Sequence, residues 1–112
     1  MGVREDLSAA VNTVAGLSCT PYFRQTTKAG DAYVRLDRMN RDLTGFGFIY
    51  VWQVLLVLPQ DLANAEKYAE DRVAALTEAI NDVLVVMSVT FHQLALDSGL
   101  LPVVIVEGNR AI

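Results

Sequence analysis

An apolar run at residues 46–58 restricts the fold more than any other feature of the sequence. Only Gly47 and Gln53 interrupt it, and Pro59 follows it. Most of its residues are aromatic or β-branched, which is typical of a strand. Successive side chains of a strand point to opposite faces, and both faces of this run are apolar. We therefore predict a central strand that is covered on both sides.

Two helices are predicted from apolar residues that recur at a spacing of three to four. The first covers residues 3–14. The second covers residues 61–82 and begins after Asp61, whose side chain suits the N-cap position. The apolar stripe that should bury the second helix consists of Leu62, Ala65, Ala69, Val73, Leu76 and Ile80.

Further strands are predicted on either side of the second helix. They lie at residues 17–23, 33–37, 83–96 and 102–106, with polar loops at 24–31 and 38–45 and a polar tail at 107–112. Pro21 places the first of these strands at a sheet edge. In the strand at 83–96 the odd-numbered residues up to Phe91 are apolar and should face the core, whereas Ser88, Thr90 and His92 should face away from it.

These elements predict one α+β domain over residues 1–112, which is an ordinary length for a single domain. The predicted sheet has four to five mostly antiparallel strands with two helices packed on it, in the order α-β-β-β-α-β-β. The helix at 61–82 should cover one face of the sheet. The first helix, or a neighbouring molecule, should cover the other face.

The residues that most often carry chemistry stand apart from one another. His92 is the single histidine, and Ser88 lies about 13 Å from it along a strand. Cys19 is the single cysteine, so it forms no internal disulfide and suits a reducing compartment. Glu66 and Glu70 are four residues apart but have no third metal ligand. We expect no enzyme activity, no metal and no cofactor.

Neither export nor membrane insertion is expected from the sequence. The first residues show no apolar signal segment, and the run at 46–58 is shorter than the about 20 residues of a membrane-spanning helix. Hydrophobic residues make up 53% of the chain, which is high for so small a domain and favours burial against partner subunits.

Charges of opposite sign occupy different parts of the chain. The net charge of −4 argues against non-specific nucleic-acid binding, which needs a basic surface. Five of the nine cations lie within residues 24–41, and six of the thirteen acids lie within residues 61–82. A basic segment and an acidic helix can meet head to tail between identical copies, and such contacts form a ring where they close.

Several segments together resemble the tail terminator (tail completion) proteins of long-tailed actinobacterial phages, which are siphoviruses. They are WQVLLVLPQD at residues 52–61 with the Ala-rich helix after it, CTP at 19–21, GDAYV at 30–34 and IVEGNR at 105–110. The resemblance covers most of the chain and depends on the order and size of the elements more than on single residues.

That resemblance implies a structural virion protein rather than an enzyme. Proteins of this family form a hexameric ring at the head-proximal end of the tail, where the ring caps the tail tube and joins it to the head-closure or connector complex. The implied partners are further copies of the chain, the tail tube protein and the head-closure protein. DNA passes through the lumen without specific binding, and assembly takes place in the host cytoplasm.

Charge and the lack of internal packing of their segments select candidate contact residues between subunits or with partners. They are Arg24, Lys28, Arg35, Arg38, Arg41, Glu66, Glu70, Asp71, Glu78 and Arg110. Two other readings stay open. One is another neck or head–tail connector subunit. The other is a small dimeric ligand-binding or regulatory α+β domain. As a ligand-binding domain or small enzyme it would use His92, whereas as a regulatory module it would dimerise through an apolar sheet face.

Overall fold

A computed structural model describes residues 2–23, 28–41, 48–96 and 99–111 of the chain. Two helices and five strands follow one another as α1 (Val3–Asn12), β1 (Ser18–Thr20), β2 (Asp31–Arg41), β3 (Phe48–Val57), α2 (Leu62–Asn81), β4 (Val85–Leu96) and β5 (Gly99–Ala111). The predicted α+β class and the predicted order of elements are confirmed.

The strands form one sheet in the order β1-β2-β3-β5-β4. β1 runs parallel to β2, whereas the other three pairs are antiparallel. β3 is the central strand, and its residues 51–57 are all buried, as the apolar run at 46–58 predicts. β1 lies at a sheet edge, as Pro21 predicts, and pairs over only three residues.

Both helices pack on the same face of the sheet, which we call the helix face. Leu7 and Val11 of α1 share one apolar cluster with Ala69 and Ile80 of α2 and with the strand residues Val54 and Val104. The expectation that α1 could cover the opposite face is therefore wrong. The reason is that α1 and α2 also contact each other, so that one layer of helices covers one side of the sheet.

The opposite face of the sheet, which we call the concave face, is also buried at its centre. Val51, Leu55 and Val57 of β3 lie on it and are no more than 2% exposed. Leu94 of β4 lines the same depression as Tyr33 of β2, although β3 and β5 separate these strands in the sheet. The sheet therefore curls, and side chains of its outer strands cover this face.

Strands β2 and β5 extend further than their side chains predict. Residues 38–41, which were predicted as a loop, continue β2, and residues 107–111, which were predicted as a polar tail, continue β5. The reason is that both segments pair with β3, from Arg38 opposite Val51 to Ala111 opposite Ile49. Backbone ladder bonds need no apolar side chains. The predicted loop residues 24–27 and 42–45 lie outside the described residues.

Strand β4 does not follow the simple alternation that the sequence predicts. A bulge between Val86 and Ser88 shifts its register against β5, and one extra residue in a strand exchanges the two faces. Val85 and Met87 are therefore exposed, although odd positions were predicted to face the core. Beyond the bulge, Val89 and Phe91 lie opposite Val106 and Val104 of the helix face, but only Val89 packs against the core, whereas Phe91 stays exposed.

Candidate assembly surfaces

A row of polar side chains crosses the concave face between apolar neighbours. Arg35, Gln53, Glu107 and Ser88 occupy the same level of β2, β3, β5 and β4. The Arg35 guanidinium donates two hydrogen bonds to Gln53 Oε1, and Gln53 Nε2 donates to Glu107 Oε1 at 3.2 Å. Arg38 pairs with both Asp37 and Glu107. The row thus provides hydrogen-bond partners for both ends of the Gln53 amide, whose residue is only 9% exposed.

Replacing Gln53 by Leu is expected to lower the free energy of unfolding by about 1–3 kcal/mol. The change keeps the volume but leaves Arg35 without its acceptor and the partly buried Glu107 with one donor fewer. Urea denaturation measures the loss. Asp37→Asn serves as the control, because Asp37 is part of an exposed pair that should contribute less than about 1 kcal/mol. Equal stability of Gln53→Leu and wild type would contradict this account.

A pair of exposed aromatic residues follows β1, and we call Tyr22 and Phe23 the aromatic corner. The Tyr22 carbonyl accepts a hydrogen bond from Thr20 Oγ1 at 2.8 Å. The Phe23 ring stands edge-on to Tyr33, with ring centroids 5.1 Å apart. The Arg4 guanidinium lies 4.3 Å from the centre of the Tyr22 ring. The corner is thus held in place although it is exposed.

Arg4 links α1 to this corner and to the sheet. Its Nη1 donates to the Pro21 carbonyl at 2.7 Å and to the Val34 carbonyl at 3.0 Å. Its guanidinium also lies 5.3 Å from the centre of the Trp52 ring. Trp52 packs in the main core, as an aromatic residue on a central strand is expected to do. Burial raises the pKa of the Tyr33 hydroxyl, and the nearby Arg35 lowers it in part.

A groove of about 770 Å³ lies between α2 and the β4–β5 hairpin, and we call it the acidic groove. Its apolar wall includes Leu58, Ala65 and Pro102, and its rim carries Glu66 and Glu70. Phe91 also lines it and is 60% exposed. The groove therefore combines an apolar floor with two carboxylates. Its volume falls in the range of pockets that hold ligands or inserted side chains.

The outer strand β4 presents a long edge. Among the residues that the structure describes, it pairs with β5 alone. It has no Asp, Glu, Lys, Arg or Pro over Val85–Leu96, and it exposes Val85, Met87 and Phe91. Natural sheets usually protect edge strands with charges, prolines or a covering element. Such an edge is a surface on which another chain can pair.

The structure separates the predicted contact residues into three groups. Arg35 and Arg38 belong to the polar row, and Arg38 has the internal partner Glu107. Glu66 and Glu70 line the acidic groove, whereas Asp71 and Glu78 are exposed elsewhere on α2. The backbones of Arg41 and Arg110 lie at the ends of β2 and β5, Lys28 is exposed just before β2, and Arg24 lies outside the described residues.

Residues of conventional chemistry remain apart in the structure. His92 is exposed and lines the acidic groove, whereas Cys19 is buried, with its carbonyl accepting from Ser8 Oγ. Within the described residues, no group of three His, Cys, Asp or Glu side chains could hold a metal ion. None of the described helices is long and apolar enough to cross a membrane.

The sequence interpretation missed the aromatic corner and Gln53. Gln53 could have been found from the sequence, because it is the one amide inside the apolar run at 46–58 and a buried amide requires a hydrogen-bond partner. Tyr22 and Phe23 had a weaker signal, since two aromatic residues stand side by side directly after Pro21, which confines a strand to a sheet edge.

A scan against models of protein families finds no match to the chain, and a search of curated proteins finds no similar sequence.

Proposed function

We propose that the protein is a structural subunit that assembles into a ring, and that this ring is the tail terminator of a long-tailed phage. In that role it caps the tail tube and joins it to the head-closure complex. The single observation that supports self-assembly most strongly is the uncharged, exposed edge of β4. In a small domain such an edge is an aggregation hazard unless a partner covers it.

The arrangement of unlike surfaces supports a head-to-tail contact. The aromatic corner lies beside β1 and β2, with Arg4 and Arg35 near it. The acidic groove lies beside β4 and α2. When two copies join through unlike surfaces, the pair still has one free surface of each kind. Further copies can therefore add until the assembly closes into a ring. The resemblance of the sequence to tail terminators supplies the expected ring order of six.

The charge of the chain agrees with the proposed role. A net charge of −4 suits a channel through which DNA slides without being held, because strong phosphate binding needs clustered cations. The basic residues Arg35 and Arg38 are bonded to Gln53 and Glu107 in the polar row.

Mass measurement by light scattering, followed by electron microscopy, tests the assembly. We expect closed rings of identical subunits, with six as the expected number. A protein that stays monomeric at all concentrations would contradict the proposal. In a phage that carries this chain, loss of the protein should give tails of uncontrolled length, because the ring stops polymerisation. Tails of normal length that fail to join heads would instead favour another neck or connector subunit.

A second candidate, a small ligand-binding domain, is favoured by the acidic groove itself. Its size and apolar wall are those of a ligand pocket, and His92 lines it. Replacing His92 by Ala separates the two functions. Ring assembly should survive this change, although His92 lines the groove, because the apolar wall and the two carboxylates stay in place. A ligand-binding domain that uses the imidazole should instead lose its ligand.

A further inference from the structure

The aromatic corner has the properties of an inserting group. Tyr22 is 62% and Phe23 is 66% exposed, yet both residues are held by Thr20, Tyr33 and Arg4. Aromatic residues contribute much of the apolar area of an interface when a partner covers them. Because they are held before contact, little conformational entropy is lost on binding.

The acidic groove has the properties of a matching receptor. Its wall is apolar at Leu58, Ala65 and Pro102, and the Phe91 ring offers a partner for an aromatic side chain. Glu66 and Glu70 stand at its rim and are exposed. The groove and the corner share no residue, although Gln93 lines the groove and the adjacent Leu94 lines the depression beside the corner.

We propose that the aromatic corner of one copy docks in the acidic groove of the next copy, and that this is the contact that builds the ring; the inference rests on the proposed function. Phe23 inserts against Phe91 and the apolar wall. Arg4 and Arg35 line the depression beside the corner, and the acceptors they bond within the chain are neutral carbonyl and amide oxygens. In the docked pair their positive charges face the carboxylates of Glu66 and Glu70. This complementarity of charge selects a second copy as the occupant over an uncharged peptide.

The same contact accounts for the exposed edge of β4. Phe91 belongs both to β4 and to the acidic groove. The depression beside the aromatic corner is lined by Val34, Arg35 and Leu36 of β2 and also by Leu94 and Ala95 of β4. A neighbour that inserts its corner against Phe91 therefore covers part of the exposed edge of β4.

Two single-surface variants test the docking. Phe23→Ala removes the inserting ring, and the double variant Glu66→Lys, Glu70→Lys reverses the rim of the groove. Each should weaken self-association at least about 30-fold, as loss of a central interface residue does. Met39→Ala is the control, because Met39 is an exposed apolar residue outside both surfaces. Circular dichroism and urea denaturation should show that all these variants stay folded, since every replaced side chain is exposed.

Mixing the two variants gives the sharpest test. The Phe23→Ala copy keeps an intact groove, and the lysine variant keeps an intact corner. A mixture should therefore form heterodimers, with one productive contact per pair, although neither variant forms rings alone. Rings of wild type that none of these changes weakens would overturn the docking and leave the proposed ring standing. A wild-type protein that never associates would overturn both.

Discussion

Replacing Leu56 by Ala is expected to lower the free energy of unfolding by about 3–5 kcal/mol. Leu56 is fully buried on the central strand β3, where it packs on the helix face within the cluster that joins both helices to the sheet. Truncation removes apolar contacts and leaves a cavity that the surrounding strands cannot close. Urea denaturation of the purified protein gives the loss.

The neighbouring residue provides a matched comparison. Leu55 is also fully buried, but it lies on the concave face, which neither of the two described helices covers. If the curl of the sheet alone packs this face, Leu55→Ala should also cost about 2–5 kcal/mol. Leu100, which is 62% exposed, serves as the control and should cost little when replaced by Ala. A cost for Leu55→Ala as small as that of the control would contradict packing of the concave face within one chain.

Replacing Gly30 by Ala is expected to destabilise the protein by about 2–4 kcal/mol. Gly30 has φ +94, and an added Cβ would lie 2.7 Å from the Gly16 carbonyl oxygen and 3.0 Å from the Tyr68 hydroxyl. The residue cannot easily move, since its N–H donates to Val57 and its carbonyl accepts from Ser18. The free-energy cost of an alanine at positive φ and the cost of the collision with the Gly16 backbone are therefore expected to add.

Gly16→Ala is the control that separates these two effects. Gly16 has a similar φ of +84, but its Cβ would meet only the Arg72 guanidinium, at 3.8 Å. We expect about 1 kcal/mol for this change, which is the cost of positive φ without a collision. Thermal or urea unfolding of both variants gives the difference. Equal losses at the two positions would show that the close approach of Gly30 to Gly16 contributes nothing.

Local signals account for the parts of the fold that the sequence predicts well. Asp61 accepts a hydrogen bond from the Ala63 N–H as the predicted N-cap, and Ala65, Ala69, Leu76 and Ile80 are buried as the predicted stripe of α2. The side chain of Leu62, the first residue of that stripe, is outside the part of the chain that the structure describes. These features depend on residues within one or two helical turns, so that neighbouring residues contain the information.

Contacts between distant residues account for the parts that the sequence predicts poorly. The polar row joins Arg35, Gln53 and Glu107, which are far apart in the chain and meet only in the registers of β2, β3 and β5. The bulge between Val86 and Ser88 changes which side chains of β4 face the core. The apolar pattern of the residues before it gives no sign of this change. The candidate surfaces were predicted as charged segments, but the aromatic corner and the groove exist only once the sheet has been assembled.

The sequence by itself determines the kinds of elements, their order and the central place of the run at residues 46–58, because periodicity, caps and apolar content act locally. The tertiary structure alone decides that both helices share one face, that the sheet curls and that β4 is left with an exposed edge. The physical reason is that an apolar pattern in the sequence shows only that a face must be covered. Which element covers it depends on strand register, bulges and packing between residues far apart in the chain.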